Sequence, residues 1–495
     1  MKRTGTLQRS YSPPDHALAQ RVSSSAAVSL LGVALRAVIT IGSTAVLARL
    51  LAPADFGLLT MASLVTEFAA LFSSFGIGAI LIQSRRTFRL QYDTAFWFAV
   101  GLGVVLMAAV WVFSTVAGLF FDDPRVPGIV RVLSLLFLLE ELTVVHAAVL
   151  NRLLKFKLEV AIQTGVLVLR VACTIFFAWL GWGVWALVMG TVVMAVARMV
   201  ALWLAVPYRP RLRFHFPLLR QRLKTGFSFL GIAVVGYLNS NLDYLIVGRR
   251  FGATDLGYYQ AAYSLADELR NRLSMPLQRV LFPAYSLVQD ALPRFQNGVL
   301  TGLRLLAAAV MPLGAGMAAT APEIVRLLYG ERWLAVVPLL QILAMNGALR
   351  AVFSMCGAIF YARDRASLAL LLTVATLPFV VVGLWIGVHW GPAGVAWAML
   401  ALVSVSAFNA SIAMRQIGLG PWHLLRAIGP ALVAAGAMAA AVLWLATALP
   451  AQWGPALRLA AMVPAGAVAY AVVLALVSRS TVGLMLKTIR GLLGR

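Results

Sequence analysis

The chain is an almost unbroken succession of apolar runs, each about as long as a bilayer is thick, and this decides most of what it can become. A helix needs about 20 apolar residues to cross a hydrocarbon core, and about fourteen such runs can be cut from this sequence. They lie near 25–51, 56–83, 94–120, 127–150, 159–180 and 182–206, then 226–249, 256–287, 298–320, 335–361, 366–389 and 392–414, and last 424–448 and 456–478. The pattern predicts an all-α polytopic membrane protein. The links are too short to hold a soluble domain. Composition agrees: 12% of the residues are charged and 61% hydrophobic, where a soluble domain is roughly a quarter charged. A soluble enzyme is excluded.

The formal charge of +24 would suggest nucleic acid in a soluble protein. Here it is distributed by loop, and nucleic acid is not an expected partner. With a cytosolic N-terminus, one side receives Lys2, Arg3, Arg9, Arg21, Arg85, Arg86, Arg89, Arg152, Lys155, Lys157 and the link Arg209–Lys224. It also receives Arg294, Arg363, Arg365, Arg415, Arg426, Arg479, Lys487, Arg490 and Arg495. The other side holds mainly Arg49, Arg125, Arg249, Arg250, Arg326, Arg332 and Arg458, mixed with Asp122, Asp123 and Glu331. The excess is roughly threefold, as positive-inside topology requires, and predicts that both termini are cytosolic. Residues 1–23 lack an apolar h-region and are expected to form a cytosolic tail, not a cleaved signal.

The halves echo each other. Val46–Ala62, VLARLLAPADFGLLTMA, and Ile246–Ala262, IVGRRFGATDLGYYQAA, align at a shift of 200 positions. Arg49 then meets Arg249, Asp55 meets Asp255, and Gly57 meets Gly257. Trp182–Ala186 in the sixth run resembles Ala393–Trp397 in the twelfth. Six crossings per half is even, so the repeats are parallel, and a cleft between two six-helix lobes is expected. The domain reading is a tail (1–23), an N-lobe (24–206), a basic amphipathic link (207–225), a C-lobe (226–416), and two further helices with a cytosolic tail (417–495). The link, RPRLRFHFPLLRQRLK, interleaves basic residues with Leu and Phe. It reads either as a strip lying on anionic headgroups while the lobes rock or as a plain positive-inside loop.

Charges at bilayer depth cost several kcal/mol and usually face a cavity or a partner. Arg36, Arg170, Arg270, Arg272, Arg304 and Arg350 are the expected cavity arginines, since guanidinium pairs bidentately with phosphate oxygens. Arg36 and Arg350 lie deepest in their spans. Arg170, Arg198 and Arg304 are within snorkelling reach of a helix end, and Arg270 follows Asp267 by one turn, so a local ion pair competes there. Glu67 and Asp243 are candidates for ion coupling or for counter-ions to nearby arginines; Glu140, Glu141 and Glu268 are further intramembrane carboxylates. Arg49, Asp55, Arg249 and Asp255 fall at matching outer turns and are expected to cap and pair at a periplasmic gate.

Other chemistries lack their residues. No G-x-x-x-x-G-K-[ST] loop is present for ATP, and no G-x-S-x-G elbow. His16, His146, His215, His389 and His423 lack metal-ligand spacing, while Cys173 and Cys356 both lie in apolar runs. No metal, cofactor or catalytic residue is expected.

Ala48–Gly57, ARLLAPADFG, resembles the hallmark of bacterial polysaccharide-unit flippases, as do Phe75–Gln83, Tyr92–Trp97, Pro276-Leu277 and Phe282–Tyr285. These are the Wzx-type, or polysaccharide transport, members of the multidrug/oligosaccharidyl-lipid/polysaccharide (MOP) exporter superfamily. The resemblance implies two six-helix lobes plus two helices, alternating access, and undecaprenyl-diphosphate-linked sugar units as cargo. It also implies a bacterial inner-membrane location, membrane lipids as surroundings, and polysaccharide polymerase and co-polymerase as partners. It transfers no site residue, so those named above rest on charge alone. The alternatives are a drug or cation exporter, which would favour an acidic cavity, and a peptidoglycan-precursor flippase. A membrane glycosyltransferase or polymerase would need a larger outer loop than any present.

Overall fold

The protein, as a computed structural model, is described for residues 35–36, 38–73, 89–153, 155–215, 217–269, 291–450 and 452–493, and these are helical almost throughout. It falls into two compact units. One comprises Met1–Tyr237 and Gly252–Thr254, the other Leu238–Phe251 and Asp255–Arg495. Ten described stretches are long and apolar enough to cross a membrane. Two of these, Leu230–Asp267 with 38 residues and Ala366–Arg415 with 50, exceed what one crossing needs.

The first unit contains α1 (Val38–Leu50), α2 (Pro53–Ala70), α3 (Arg89–Phe121), α4 (Val126–Arg152), α5 (Phe156–Trp179) and α6 (Val184–Ala205). Its turns are written in the residues that break it. Ala52 is extended at ψ 154°, as a residue before proline must be, and the Asp55 carboxylate accepts its N–H at 2.9 Å. Between α3 and α4, Asp122 takes φ +55° and Asp123 accepts the Arg125 N–H at 2.9 Å. Gly181 and Gly183, at φ +79° and +52°, join α5 to α6. Helix α6 stops at Val206 (φ −113°, ψ 119°), again before a proline. Close approach of α5 and α6 needs Gly190, where a Cβ would overlap the Thr174 hydroxyl. Leu47 and Leu51 pack with Ala178, Ala186 and Leu187 at one end of the unit. A second core at the opposite end joins the start of α3, the end of α4 and the end of α6 through Tyr92, Phe96, Val149, Leu202 and Tyr208.

Helix α7 (Pro217–Leu269) is broken at Gly252, with φ +81° and ψ −173°. The sequence predicts two spans there with a turn at 250–255; the structure makes that turn on one glycine, because only a residue without Cβ enters this conformation freely.

The second unit continues with α8 (Leu292–Ala319), α9 (Ala321–Leu328), α10 (Val336–Ser354), α11 (Gly357–Ala362), α12 (Ala366–Gly387), α13 (Gly391–Ala401), α14 (Val403–Arg415), α15 (Pro421–Ala448), α16 (Pro455–Val477) and α17 (Arg479–Leu493). Its core is built from small residues. Ala307, Ala308, Ala315, Ala348, Ala351, Ala434 and Ala435 are all buried, which lets the backbones of α8, α10 and α15 come together in the manner of membrane bundles. Tyr470 donates to the Ala308 carbonyl at 2.9 Å, and Gln296 to that of Ile417 at 2.6 Å. Helix α9 caps one end through a buried Glu323–Arg458 pair at 3.5 Å. The C-terminal stretch, expected as a plain tail, is the amphipathic helix α17, whose Val482 and Met485 pack on this core.

Candidate functional site

In the first unit the predicted charges form a polar stripe. Glu159, Gln163 and Arg170 share one face of α5, since 3.6 residues per turn brings them into line. Arg36, just before α1, donates through Nη1 to Gln163 Oε1 at 2.9 Å, and Gln163 reaches Glu159 at 3.3 Å. Arg170 points at Met194 Sδ on α6, 3.9 Å away. One turn further along α6, Arg198 lies within electrostatic reach of Glu140 on α4. Arg36 and Arg170 are half-buried, while Glu140 and Arg198 are exposed. Glu141 is instead buried at 6% exposure beside Gly103, where a Cβ would come 2.9 Å from the Phe137 carbonyl. Glu67 on α2 is exposed and close to Tyr237, whose hydroxyl donates to the Leu64 carbonyl at 2.6 Å.

The second unit holds a buried knot. Asp243 is 1% exposed, and its Oδ2 accepts the Tyr259 hydroxyl at 2.9 Å. Tyr259 and Tyr263 sit one turn apart, and Tyr244 packs on both at 5.5 and 5.1 Å between centroids. Arg350 donates to the Tyr263 hydroxyl at 3.0 Å and lies within electrostatic reach of Asp243 and Asp267. One turn before Arg350 on α10, Asn346 is 2% exposed. Two acceptors, Asp243 Oδ1 and Asn346 Oδ1, have no hydrogen-bond partner among the described residues.

Beside the knot lies a cavity of about 330 Å³ lined by Arg350, Ser354, Cys356, Tyr361, Thr373, Ser406 and Asn409 among others. That is the lower end of the range for small-molecule sites. It occurs where α10 gives way to α11 and beside α14, which follows a break after α13. Interrupted helices at a polar pocket are a recurrent way to expose hydrogen-bonding groups inside a membrane protein. Asn409 donates to Thr376 Oγ1 at 3.2 Å, which orients its amide.

The structure therefore brings Arg350 and Asp243 into one cluster and ties Arg36 to the stripe of Arg170. Arg304 is half-buried on α8; Arg270 and Arg272 lie outside the described residues. Among the turn residues, Arg49 and Arg249 are exposed and Asp255 half-buried, while Asp55 caps its own helix. The structure gives partners to four groups to which the sequence assigned no role. Asp93 is fully buried and accepts the Tyr208 hydroxyl at 2.8 Å. His146, also fully buried, stacks on Trp203 at 4.7 Å. Arg131 sits over the Trp111 ring at 5.0 Å. The last is the Glu323–Arg458 pair. Nothing local to Asp93 or Glu323 marks a partner over a hundred positions away.

The polysaccharide biosynthesis protein family matches residues 46–338, a stretch that takes in the first echo turn, the second, and Asp243. The chain belongs to this family. It is 28% identical to the lipopolysaccharide biosynthesis protein WzxC of Escherichia coli (strain K12) over 344 residues, 68% of this chain and 70% of that one. It is also 28% identical to the teichuronic acid biosynthesis protein TuaB of Bacillus subtilis (strain 168) over 348 residues, 69% and 71% of the two chains. Among solved structures, the lipid II flippase MurJ in an inward closed conformation superposes with a TM-score of 0.74 at 12% identity, covering 92% of this chain and 99% of that one. The fold is that of the MOP exporters. This member of the family is a multi-pass membrane protein of polysaccharide biosynthesis; a further relative, 23% identical over 61% of each chain, is the succinoglycan biosynthesis transport protein ExoT of Rhizobium meliloti (strain 1021).

Proposed function

We propose that this transporter flips lipid-linked oligosaccharide units, carried on undecaprenyl diphosphate, across the bacterial inner membrane for exopolysaccharide, O-antigen or capsule assembly. The observation that carries the reading is the Arg350 knot with its polar cavity. A fixed guanidinium beside neutral hydroxyl and amide groups suits a phosphate joined to sugar better than it suits a cationic drug. In this reading two six-helix lobes plus two helices, fourteen in all, alternate access between cytosol and periplasm, with both termini cytosolic. The isoprenoid tail stays in lipid while Arg36, Arg170, Arg304, Arg350 and, beyond the described residues, Arg270 and Arg272 screen the diphosphate and sugars.

Asp243 and Glu67 are the proposed coupling sites for an ion gradient. Asp243 is the stronger of the two, because its unpaired Oδ1 and that of Asn346 are acceptors that a proton or cation would satisfy. The echo turns with Arg49, Asp55, Arg249 and Asp255 form the outer gate region. Once flipped, the unit passes to a polymerase and co-polymerase.

The test is deletion with complementation. Loss of one surface polysaccharide, with its lipid-linked unit accumulating in the inner leaflet, is the expected result, restored by the wild-type gene. Arg36→Ala and Arg350→Ala should each reach the membrane and fail to restore export. Normal polymer yield from both variants overturns the cavity assignment, and accumulation of a drug in the deletion strain moves the reading to an exporter.

A further inference from the structure

The connection after α6 is bound to the first unit along its length. Asp93 Oδ1 accepts the Tyr208 hydroxyl at 2.8 Å and the Arg211 N–H at 3.3 Å. Trp97 Nε1 donates to the Arg211 carbonyl at 2.8 Å, and the His215 N–H reaches Thr94 Oγ1 at 3.2 Å. Arg209 turns back onto the carbonyls of Trp203, Val206 and Tyr208 at 2.9, 3.1 and 2.9 Å. Its backbone carbonyl takes a long bond of 3.5 Å from Arg89. Pro207 and Pro210 stiffen the path further. The first half of the basic link is a strap, not a loose tether.

With these backbone groups satisfied inward, the side chains face outward. Arg211, Leu212, Arg213, Phe214 and His215 are all exposed. The Arg213 N–H bonds the Arg211 carbonyl at 2.7 Å, a three-residue turn that thrusts Leu212 out to 87% exposure; Phe214 stands at 54%. Apolar side chains this exposed between arginines are costly in water. They are stable where an apolar layer lies beside anionic headgroups.

Depth follows from α3. Its 33 residues span about 50 Å, against about 30 Å of hydrocarbon and 40–45 Å with headgroups. The first turns of α3, to which the strap is bonded, therefore lie at headgroup level. The half-buried Trp97 and Trp203 lie at the same level, packed with the buried Tyr92, Phe96 and Tyr208, and indole rings favour that depth.

We propose that the strap 207–215 is an interfacial anchor for anionic phospholipid, with Leu212 and Phe214 inserted below the phosphates and Arg211 and Arg213 paired with them. Asp93 positions it. This surface serves the bilayer, so its failure leaves the transport reading untouched. Two arginines in the surface field favour anionic over neutral lipid on the order of 25-fold.

The test places a nitroxide on Leu212→Cys, in full-length protein carrying Cys173→Ala and Cys356→Ala. Collision with oxygen and with a water-soluble nickel chelate is then compared in nanodiscs of phosphatidylcholine alone and with phosphatidylglycerol. The label should lie below the phosphates in the anionic discs. It should move toward water on Arg211→Gln with Arg213→Gln, and on Asp93→Ala. Equal nickel access in both lipids, or no change in the arginine variant, overturns the proposal. A photoreactive benzophenone residue replacing Leu212 in protein retaining both cysteines gives an independent reading: a phospholipid adduct supports the anchor, and its absence from anionic vesicles refutes it.

Discussion

The two units hold charge in different ways. In the first, Arg36, Gln163, Glu159 and Arg170 run along half-open helix faces in a chain of single contacts. In the second, the buried Asp243, Tyr259 and Asn346 cluster with the half-buried Tyr263 and Arg350 in one knot. One end of each unit repeats the contrast. The first unit pairs Asp123 with Arg125 at 2.8 Å, the arginine 58% exposed; the second pairs Glu323 with Arg458, at 6% and 18% exposure. A half-open stripe can re-aim its long side chains onto a passing charged group. A buried knot is set before any ligand arrives, and its geometry can discriminate. One physical source of the difference is helix spacing, since the alanines buried in the second unit's core let the backbones there approach.

The sharpest way to break the contrast is Arg350→Ala. It leaves Tyr263 and the neighbouring carboxylates without their cation, so export should fall at least about tenfold and unfolding in detergent should ease by about 1–3 kcal/mol. Arg350→Lys should retain the charge and recover much of the stability, but not the planar recognition of phosphate. An unchanged melting temperature in Arg350→Ala would show that the knot is not a unit.

Next comes Glu323→Ala, which takes the carboxylate from the half-buried Arg458 but leaves its bond to the Ala446 carbonyl at 2.7 Å; it should cost about 1–3 kcal/mol in thermal unfolding with little direct effect on a transported group. The counterpart is Arg36→Ala. Its stability should change by less than about 1 kcal/mol, while export falls as steeply as in Arg350→Ala. A large stability loss there would mean the stripe is as rigid as the knot.

The smallest effect belongs to Asp123→Asn. The hydrogen bond from Arg125 holds the Asp123 carboxyl below the usual carboxylate range. Its contribution is therefore present above the unfolded-state value, near pH 4, and is lost as pH falls through the lower folded-state value. Partial exposure limits it to under about 1 kcal/mol. The wild type should lose its margin over the variant in melts taken below about pH 3; a margin that persists there would assign the stabilisation to another group.

Much of the fold was legible from residue order. Runs of apolar residues, prolines at helix starts and a glycine or aspartate at each tight turn are local facts, and α3 through α6, α15 and α16 follow them closely. Gly252 was visible as an echo of Ala52, though not as a positive-φ break. The site was legible only as a roster of costly charges. Arg350 was singled out by depth, yet its partner Tyr263 stands 87 positions away. Asp93 carries no local sign of its partner Tyr208, 115 positions off.

The sequence by itself determined that the chain is a multi-pass membrane protein, where most of its long helices lie, and that one turn is echoed 200 positions later. Those properties depend on free energies that add along the chain, residue by residue. Only the tertiary structure decided which intramembrane charges meet, which stripe stays half open and which link becomes a strap. These depend on how each helix is rotated and how closely its neighbours pack, and such pairwise geometry has no value until the partners are in place.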